Sequence, residues 1–336
     1  MLTVPQLEVL DIRHFTGKQL RPLLEHEAVT WEHRLRWDYR SSTELLLQYL
    51  DSRVLPGFVA LDRGKICGFT FCVYEGQKAV VGDAYAVGSA GNSALEMTRM
   101  LLMHLLEVLM HAPNISRIES QLLLYDEGAT STVFRAQGFS IYQRLFMECD
   151  LRYPSPALIS LRSGSPARPL PGGLLFRQWT GTYYQAAAEL IHLCYTYAPH
   201  VDSIINDQYR SLHGSLRFLH NIVRFPGCGV FDPAASWMLI DPANGQLLGL
   251  VLASRVAPRV AHITQLCISP TLRGQGLARA LLIHAMQHLT HAGFEAMTLT
   301  VTTKNEPAVR LYEGLGFVTT HRFDAMVLEK TGQPGL

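Results

Sequence analysis

Between Arg273 and Ala278 the chain reads Arg-Gly-Gln-Gly-Leu-Ala, directly ahead of Leu277, Ala280, Leu281 and His284 at helical spacing. The first N–H groups of a helix have no intrahelical acceptor, and the helix dipole adds about half a positive charge there. Two glycines and a small residue at that point leave the backbone open to a large anion such as a diphosphate. Gly274 and Gly276 carry no side chain to block it, and Ala278 keeps the first turn small. A dinucleotide fingerprint is excluded because its third glycine is missing. A Walker A loop is excluded because no Gly-Lys-Ser/Thr follows.

The elements around this hexapeptide suit that chemistry. Residues His262–Ile268 are rich in β-formers and predict a strand, Pro270 stops it, and the periodic run after Gly276 predicts an amphipathic helix. The unit is therefore strand, glycine-rich turn, helix. Read as Arg273-x-x-Gly276-x-Ala278 after Cys267-Ile268-Ser269-Pro270, it resembles the acetyl-CoA-binding motif of the GNAT N-acetyltransferase superfamily. A second stretch, Asn305-x-x-Ala308-x-x-Leu311-Tyr312-x-x-x-Gly316-Phe317, resembles the same superfamily's downstream signature.

The resemblance covers roughly residues 172–330 and implies a sheet splayed between its fourth and fifth strands, with the pantetheine arm of acetyl-CoA in the split. Carried over residue by residue, it implies that backbone groups of Cys267, Ile268 and Ser269 pair with the pantetheine like an added strand. It implies an oxyanion-stabilising N–H near Leu266 and Cys267, and a diphosphate held by the amides of Arg273, Gly274, Gln275, Gly276, Leu277 and Ala278. Asn305 would touch the pantetheine region, and Tyr312 would stand beside the thioester sulfur as the acid for the departing thiolate. The implied reaction is direct attack of a primary amine, from a small molecule or a peptide terminus, on acetyl-CoA. A non-catalytic acyl-CoA-binding module is the competing reading.

The general base is the weak point. Where many relatives carry a carboxylate on the motif strand, this chain has Gln265, which cannot take a proton. His262 lies earlier on the strand and would titrate near neutrality, or be a solvated strand-end histidine. Glu313 adjoins Tyr312 but is expected on another side of its helix. Cys267 has neither a histidine partner nor a cationic neighbour in sequence, which argues against a thiol nucleophile. Tyr195, Tyr197, His200 and Asp202 cluster after a helical run, in a region that lines the acceptor site in relatives. His284, His288 and His291 share a helix face, read as solvated rather than metal-binding because no carboxylate ligand is nearby.

The whole chain sets the frame. Its 336 residues suggest two domains. Hydrophobic residues make up 48% and charged residues 17%, enough for real cores and too balanced for disorder. A net charge of +1 gives no footprint for nucleic acid. The six cysteines form no CxxC pair, so they read as reduced thiols of a cytoplasmic protein without a metal site. The N-terminus shows no signal-peptide pattern, and the most apolar stretch, Met100–Met110, is about half of the ~20 residues that a membrane span needs.

Tyr153–Gly173 holds five prolines, three glycines and four serines and reads as a linker. The expected division is 1–153, a linker at 154–171, and a catalytic domain at 172–333. The flanking halves look like weak copies. Each has a strand–turn–strand with a late glycine, Gly68 or Gly249, and each closes on a Gly-Phe pair, Gly138-Phe139 or Gly316-Phe317. Helices followed by a run of strands and βαβ-type elements predict an α/β or α+β fold with a mixed sheet, and the resemblance, extended to the first half, implies two tandem GNAT-like domains, each a mixed, mostly antiparallel sheet flanked by helices. In the first half the loop Ala86–Ser93 lacks the diphosphate pattern, and Phe134 stands near the tyrosine position. That half reads as a degenerate copy.

Overall fold

The structure is a computed structural model and describes residues 7–88, 92–153, 170–224 and 227–330. The chain divides into two compact units, Met1–Gln143 with Arg322–Leu336, and Arg144–His321.

The first unit opens with β1 (Leu7–Asp11), α1 (Gly17–Leu35) and α2 (Arg40–Asp51). Thr16 and Gln19 form a reciprocal cap at the start of α1. An antiparallel run follows, β2 (Gly57–Asp62), β3 (Lys65–Glu75) and β4 (Lys78–Ala86). Helix α3 (Ala94–His111) then crosses to β5 (Arg117–Gln121), parallel to β4, and α4 (Ser131–Ala136) leads to β6 (Ser140–Asp150).

The second unit repeats the order. Its elements are β7 (Leu175–Gln178), α5 (Tyr184–Thr196), α6 (Val201–Ile205), α7 (Leu212–Arg224) and the two-residue β8 (Val230–Phe231). Then come β9 (Trp237–Asp241), β10 (Gln246–Ala257) and β11 (Val260–Ile268), followed by α8 (Leu277–His291), β12 (Ala296–Thr302), α9 (Glu306–Glu313) and β13 (Val318–Glu329). Sheet order is β1-β2-β3-β4-β5-β13 in the first unit and β6-β12-β11-β10-β9-β7 in the second.

The division differs from the expected one at 153 and 172, because the closing strands trade places. Residues Arg144–Asp150 of β6 pair antiparallel with β12, and Ala325–Glu329 of β13 pair antiparallel with β5. Two copies of one fold present the same kind of open sheet edge, so either closing strand satisfies either edge with the same hydrogen-bond pattern. The expected linker, 154–171, lies outside the described residues except for Leu170 and Pro171.

Period-2 alternation places the core of the second unit on both faces of its sheet. Leu239, Val251 and Ala253 pack with Leu281, Leu282, Ala285, Met286 and Leu289 of α8. Met238, Ile240, Leu250 and Leu252 pack with Ala187, Ile191 and Cys194 of α5 and Leu219 of α7. The repeated glycine is a close-approach position in both units. A Cβ at Gly249 would lie 2.6 Å from Ile268 Cδ1, and one at Gly68 would lie 2.9 Å from Ala86 Cβ. Opposite these glycines are the residues that end the two corresponding strands, in the pairs Gly249↔Ile268 and Gly68↔Ala86.

The first unit buries an acid pair that the sequence does not announce. Glu27 on α1 is fully buried, and its Oε1 accepts from Trp31 Nε1 at 3.1 Å. Asp83 on β4 is nearly as buried and accepts from the Ala84 amide at 2.8 Å. Burial, and then the neighbouring Asp83 charge, push the Glu27 carboxyl well above the usual carboxylate range. An acid whose folded pKa is raised contributes stability that is lost as pH rises through that value. Glu27→Gln, which keeps the shape without the proton, should therefore gain melting temperature relative to wild type as pH rises from 5 to 8. Thermal melts across that range check it.

Candidate active site

The site is built where β11 leaves β12. The two strands pair in parallel from Val260↔Ala296 to Ile263↔Leu299, while β11 runs on to Ile268 and β12 to Thr302. A bulge falls at that point, the register against β10 jumping from Ala253↔Ile263 to Leu252↔Gln265. A bulge adds one residue and bends its strand, so β11 turns away from β12 beyond Ile263. Counted along the sheet from β7, these are the fourth and fifth strands, where the split is expected.

Antiparallel pairing decides which backbone groups face the split. Ser269 N donates to Leu248 O at 2.8 Å, so by alternation Cys267 also faces β10, and Leu266 and Ile268 face the other way. The side of β11 without a partner strand thus presents Leu266 and Ile268. The expected pairing through Cys267 and Ser269 does not fit, because their N–H groups are directed to β10. The Leu266 amide lies 3.2 Å from Gln265 Oε1, and Ile268 O accepts the Cys194 thiol at 3.2 Å.

Pro270–Leu272 form a short 3-10 turn that ends the strand and leads into the glycine loop. Gly274 and Gly276 have φ of 78° and 76°, a left-handed backbone that glycine adopts without cost. No atom lies within 4 Å of a Cβ built on either one. Gly276 caps α8 without a side-chain hydrogen bond. Among the described residues the amides of Gly274, Gln275, Gly276, Leu277 and Ala278 have no acceptor, whereas Arg273 N reaches Pro270 O at 3.4 Å. An open nest of unpaired amides at a helix start fits a diphosphate. The Arg273 side chain is engaged elsewhere, with Nη2 donating to Cys194 O at 2.9 Å.

Tyr312 on α9 is buried, 5.8 Å from the Phe317 ring. Its hydroxyl has no hydrogen-bond partner among the described residues. Burial, and then the Asp202 charge, raise its pKa, so it is a protonated phenol at neutral pH. Asn305 precedes α9 without capping it, and its Nδ2 donates to Asp202 Oδ2 at 3.4 Å.

None of the base candidates weighed from the sequence faces the split as a base. Gln265 accepts from Tyr195 OH at 3.0 Å. Glu313 is exposed. His262 is not a solvated strand-end residue. It is buried, its Nδ1 lies 2.9 Å from Thr298 Oγ1, and its ring stacks on Phe146 at 5.9 Å. Burial lowers its pKa to about 3, so it is neutral. The unfolded chain then takes up a proton that the folded state refuses, and stability falls as pH drops from about 6.5 towards 3. His262→Gln should flatten that decline in urea unfolding at pH 7 and pH 5 and leave the pH profile of turnover unmoved. Cys267 is buried and hydrogen-bonded to Cys194, and burial pushes its thiol well above the usual range, which disfavours a thiolate nucleophile.

In the last turn of α5, Tyr195 stacks on Tyr209 at 4.0 Å and meets His200 edge-on at 4.9 Å. Tyr197 leaves the expected cluster, 64% exposed. The helix face of His284, His288 and His291 is only partly solvated, since His284 packs on Phe176 at 4.7 Å and Trp237 at 4.2 Å. Among the described residues no cluster of His, Cys, Asp or Glu could hold a metal ion, and no helix is long and apolar enough to cross a membrane.

The first unit has the same bulge, between Phe71↔Asp83 and Cys72↔Val81, and its β4–β5 pairing stops at Val81↔Ser120. Asp83 holds the Ala84 amide as Gln265 holds that of Leu266. There, however, Tyr125 OH donates to Ala84 O at 2.9 Å and closes the edge. Phe134 is fully buried against Phe139 at 5.1 Å and has no proton to donate. Ser89, Ala90 and Gly91 of the altered loop lie outside the described residues.

A mixed sheet split at its centre, repeated once along the chain, is the tandem GNAT fold. A GCN5-related N-acetyltransferase from Sphaerobacter thermophilus superposes with a TM-score of 0.66 at 17% identity, covering 99% of each chain. A tandem GNAT protein from the clavulanic acid biosynthesis pathway superposes with a TM-score of 0.59 at 14% identity, covering 97% of this chain and 99% of that one. At such identity the likeness concerns the fold. Residues 199–317 match the acetyltransferase (GNAT) family.

Two curated relatives carry the name mycothiol acetyltransferase. That of Thermomonospora curvata is 33% identical over 96 residues, 29% of this chain and 31% of that protein. That of Beutenbergia cavernae is 30% identical over 151 residues, 45% and 47% of the two. The chain spans less than half the length of these relatives.

Proposed function

We propose that the second unit is an acetyl-CoA-dependent N-acetyltransferase that moves an acetyl group to a primary amine by direct attack. The observation that carries this reading is the run of unpaired amides at the start of α8, reached from the side of β11 that has no partner strand beyond Ile263. A strand-like amide arm followed by a diphosphate is the ligand shape that edge and helix start would hold together. The names of the curated relatives agree with acetyl transfer.

In this reading the amides of Gly274–Ala278 hold the diphosphate, and the pantetheine lies along Leu266 and Ile268. The neutral amine attacks the thioester carbonyl carbon, and the Leu266 N–H stabilises the developing oxyanion by exchanging its Gln265 Oε1 acceptor for it. The C–S bond then breaks, the thiolate takes the Tyr312 proton, and the proton shed by the nitrogen restores the phenol. The products are the acetamide and the free thiol.

Calorimetric titration with acetyl-CoA tests it. One site per chain at micromolar affinity, with thiol release on adding amines, is the expected result. Absence of binding would remove the reading. Two sites per chain would show that the first unit, despite Tyr125, also binds the cosubstrate.

A further inference from the structure

Two thiols that the proposed reaction does not use lie against each other at the end of β11. Cys194 is in the last turn of α5, and Cys267 is the residue before the last of β11. Strand alternation separates Cys267 from its neighbour. Ile268 packs with α8 on one face of the sheet, and Cys267 packs with Cys194 on the other. The two thiols are hydrogen-bonded to each other, and Cys194 Sγ also donates to Ile268 O at 3.2 Å. Both are free thiols.

A cation and a short route to solvent come with the pair. Arg273 Nη2 donates to Cys194 O at 2.9 Å, and the Arg273 residue is itself exposed. Cys194 and Cys267 are 5% and 3% exposed, so they lie one side chain below the surface. That depth excludes a bulky disulfide reagent but admits hydrogen peroxide, a molecule little larger than water. The hydrogen bond from Cys267 and, against the cost of burial, the Arg273 charge hold the Cys194 thiol below its ordinary value. Burial raises Cys67, Cys72, Cys149 and Cys267 instead. A thiol beside a cation, with a second thiol in contact to resolve its oxidised form, can sense a peroxide.

We infer that Cys194 and Cys267 are a peroxide-sensitive pair whose disulfide closes the Ile268 side of the split to acetyl-CoA. The effect on acetyl-CoA rests on the acetyltransferase reading, whereas the disulfide itself does not. The Cys194 sulfur attacks one peroxide oxygen, the O–O bond breaks, and a sulfenic acid forms as one water leaves. The Cys267 sulfur then attacks the Cys194 sulfur, the S–O bond breaks, and the departing hydroxide leaves as water with the Cys267 proton. The two thiols give up two electrons and two protons, and the peroxide becomes two waters.

A disulfide holds its sulfurs ~2.05 Å apart, closer than two hydrogen-bonded thiols, and has no hydrogen to donate. Ile268 O therefore loses its donor, and the last turn of α5 is drawn towards β11 with the Arg273 side chain tied to it. The end of the strand and the first residue of the glycine loop are displaced together.

The test uses the full chain carrying Cys228→Ser, because Cys228 is an exposed thiol. After treatment with hydrogen peroxide, peptide mass spectrometry should find Cys194 joined to Cys267. Acetyl-CoA affinity should fall by about tenfold, the scale of one or two lost hydrogen bonds, and dithiothreitol should restore it. Cys194→Ser and Cys267→Ala, each compared before and after peroxide, should show no such fall.

Absence of the joined peptide would overturn the pair. A disulfide that leaves affinity unchanged would overturn its effect on the split. An equal fall in Cys194→Ser would do the same, by showing that another group, such as a methionine, is the one oxidised. Reduced protein that fails to bind acetyl-CoA would sink the acetyltransferase reading, and the joined peptide would still decide the pair.

Discussion

Tyr312→Phe should lower kcat by about 10²-fold while acetyl-CoA binds nearly as it does to wild type. The substitution removes one oxygen from a side chain whose ring is packed against Phe317, so the fold of α9 should survive. The lost hydroxyl has no hydrogen-bond partner among the described residues, and no buried group is orphaned by its removal. The deficit then reflects the loss of a proton donor to the departing thiolate, for which general acid catalysis of roughly 10²–10⁴-fold is typical. Pre-steady-state release of thiol, compared with calorimetric affinity, separates the two effects. A variant with unchanged kcat would show that the thiolate leaves unprotonated or takes its proton from water. In the first unit Phe134, which stands near the corresponding place in the sequence, is fully buried and has no proton to donate.

Gly276→Glu should abolish measurable acetyl-CoA binding, a loss of more than about 100-fold. Two causes act together. With φ at 76°, a residue bearing a Cβ costs about 1–2 kcal/mol in local strain. The carboxylate also enters the open space before the amides of Leu277 and Ala278, occupying a helix start with a charge of the diphosphate's own sign. Gly276→Asn separates them, since asparagine tolerates the left-handed region and brings no charge. It should bind within about tenfold of wild type. Calorimetry on the three proteins, with melting temperatures to control for folding, is the measurement. Equal binding by the glutamate variant would mean that the diphosphate lies elsewhere.

The parts of the site that are contiguous in sequence were legible there. Arg273–Ala278 form a turn into a helix because two glycines and a following apolar period leave the backbone few alternatives. Asn305 and Tyr312 are seven residues apart and are joined by one short helix. The parts that depend on how strands pass one another were not. The pattern at His262–Ile268 predicts a strand, yet the side on which each N–H lies follows from its pairing with β10, which takes the N–H groups of Cys267 and Ser269 and leaves that of Leu266 on the other side. His262 has a polar residue's name and a core residue's surroundings, because Thr298 and Phe146 come from other strands.

Local propensity and spacing, set by bonds within a few residues, determine from the sequence alone that this chain has two related halves. They also determine that the second has a glycine-rich helix start and Tyr312, where the first has neither the Arg-x-x-Gly-x-Ala pattern nor a tyrosine at Phe134. The tertiary structure decides what lies far apart along the chain. It exchanges β6 and β13 between two like sheet edges, opens β11 from β12 while Tyr125 closes the matching edge, and brings Asp202 to Thr302 and Asn305. These outcomes depend on which hydrogen-bonding groups remain unmatched once the sheets have formed, and no short stretch of sequence contains both partners of such a match.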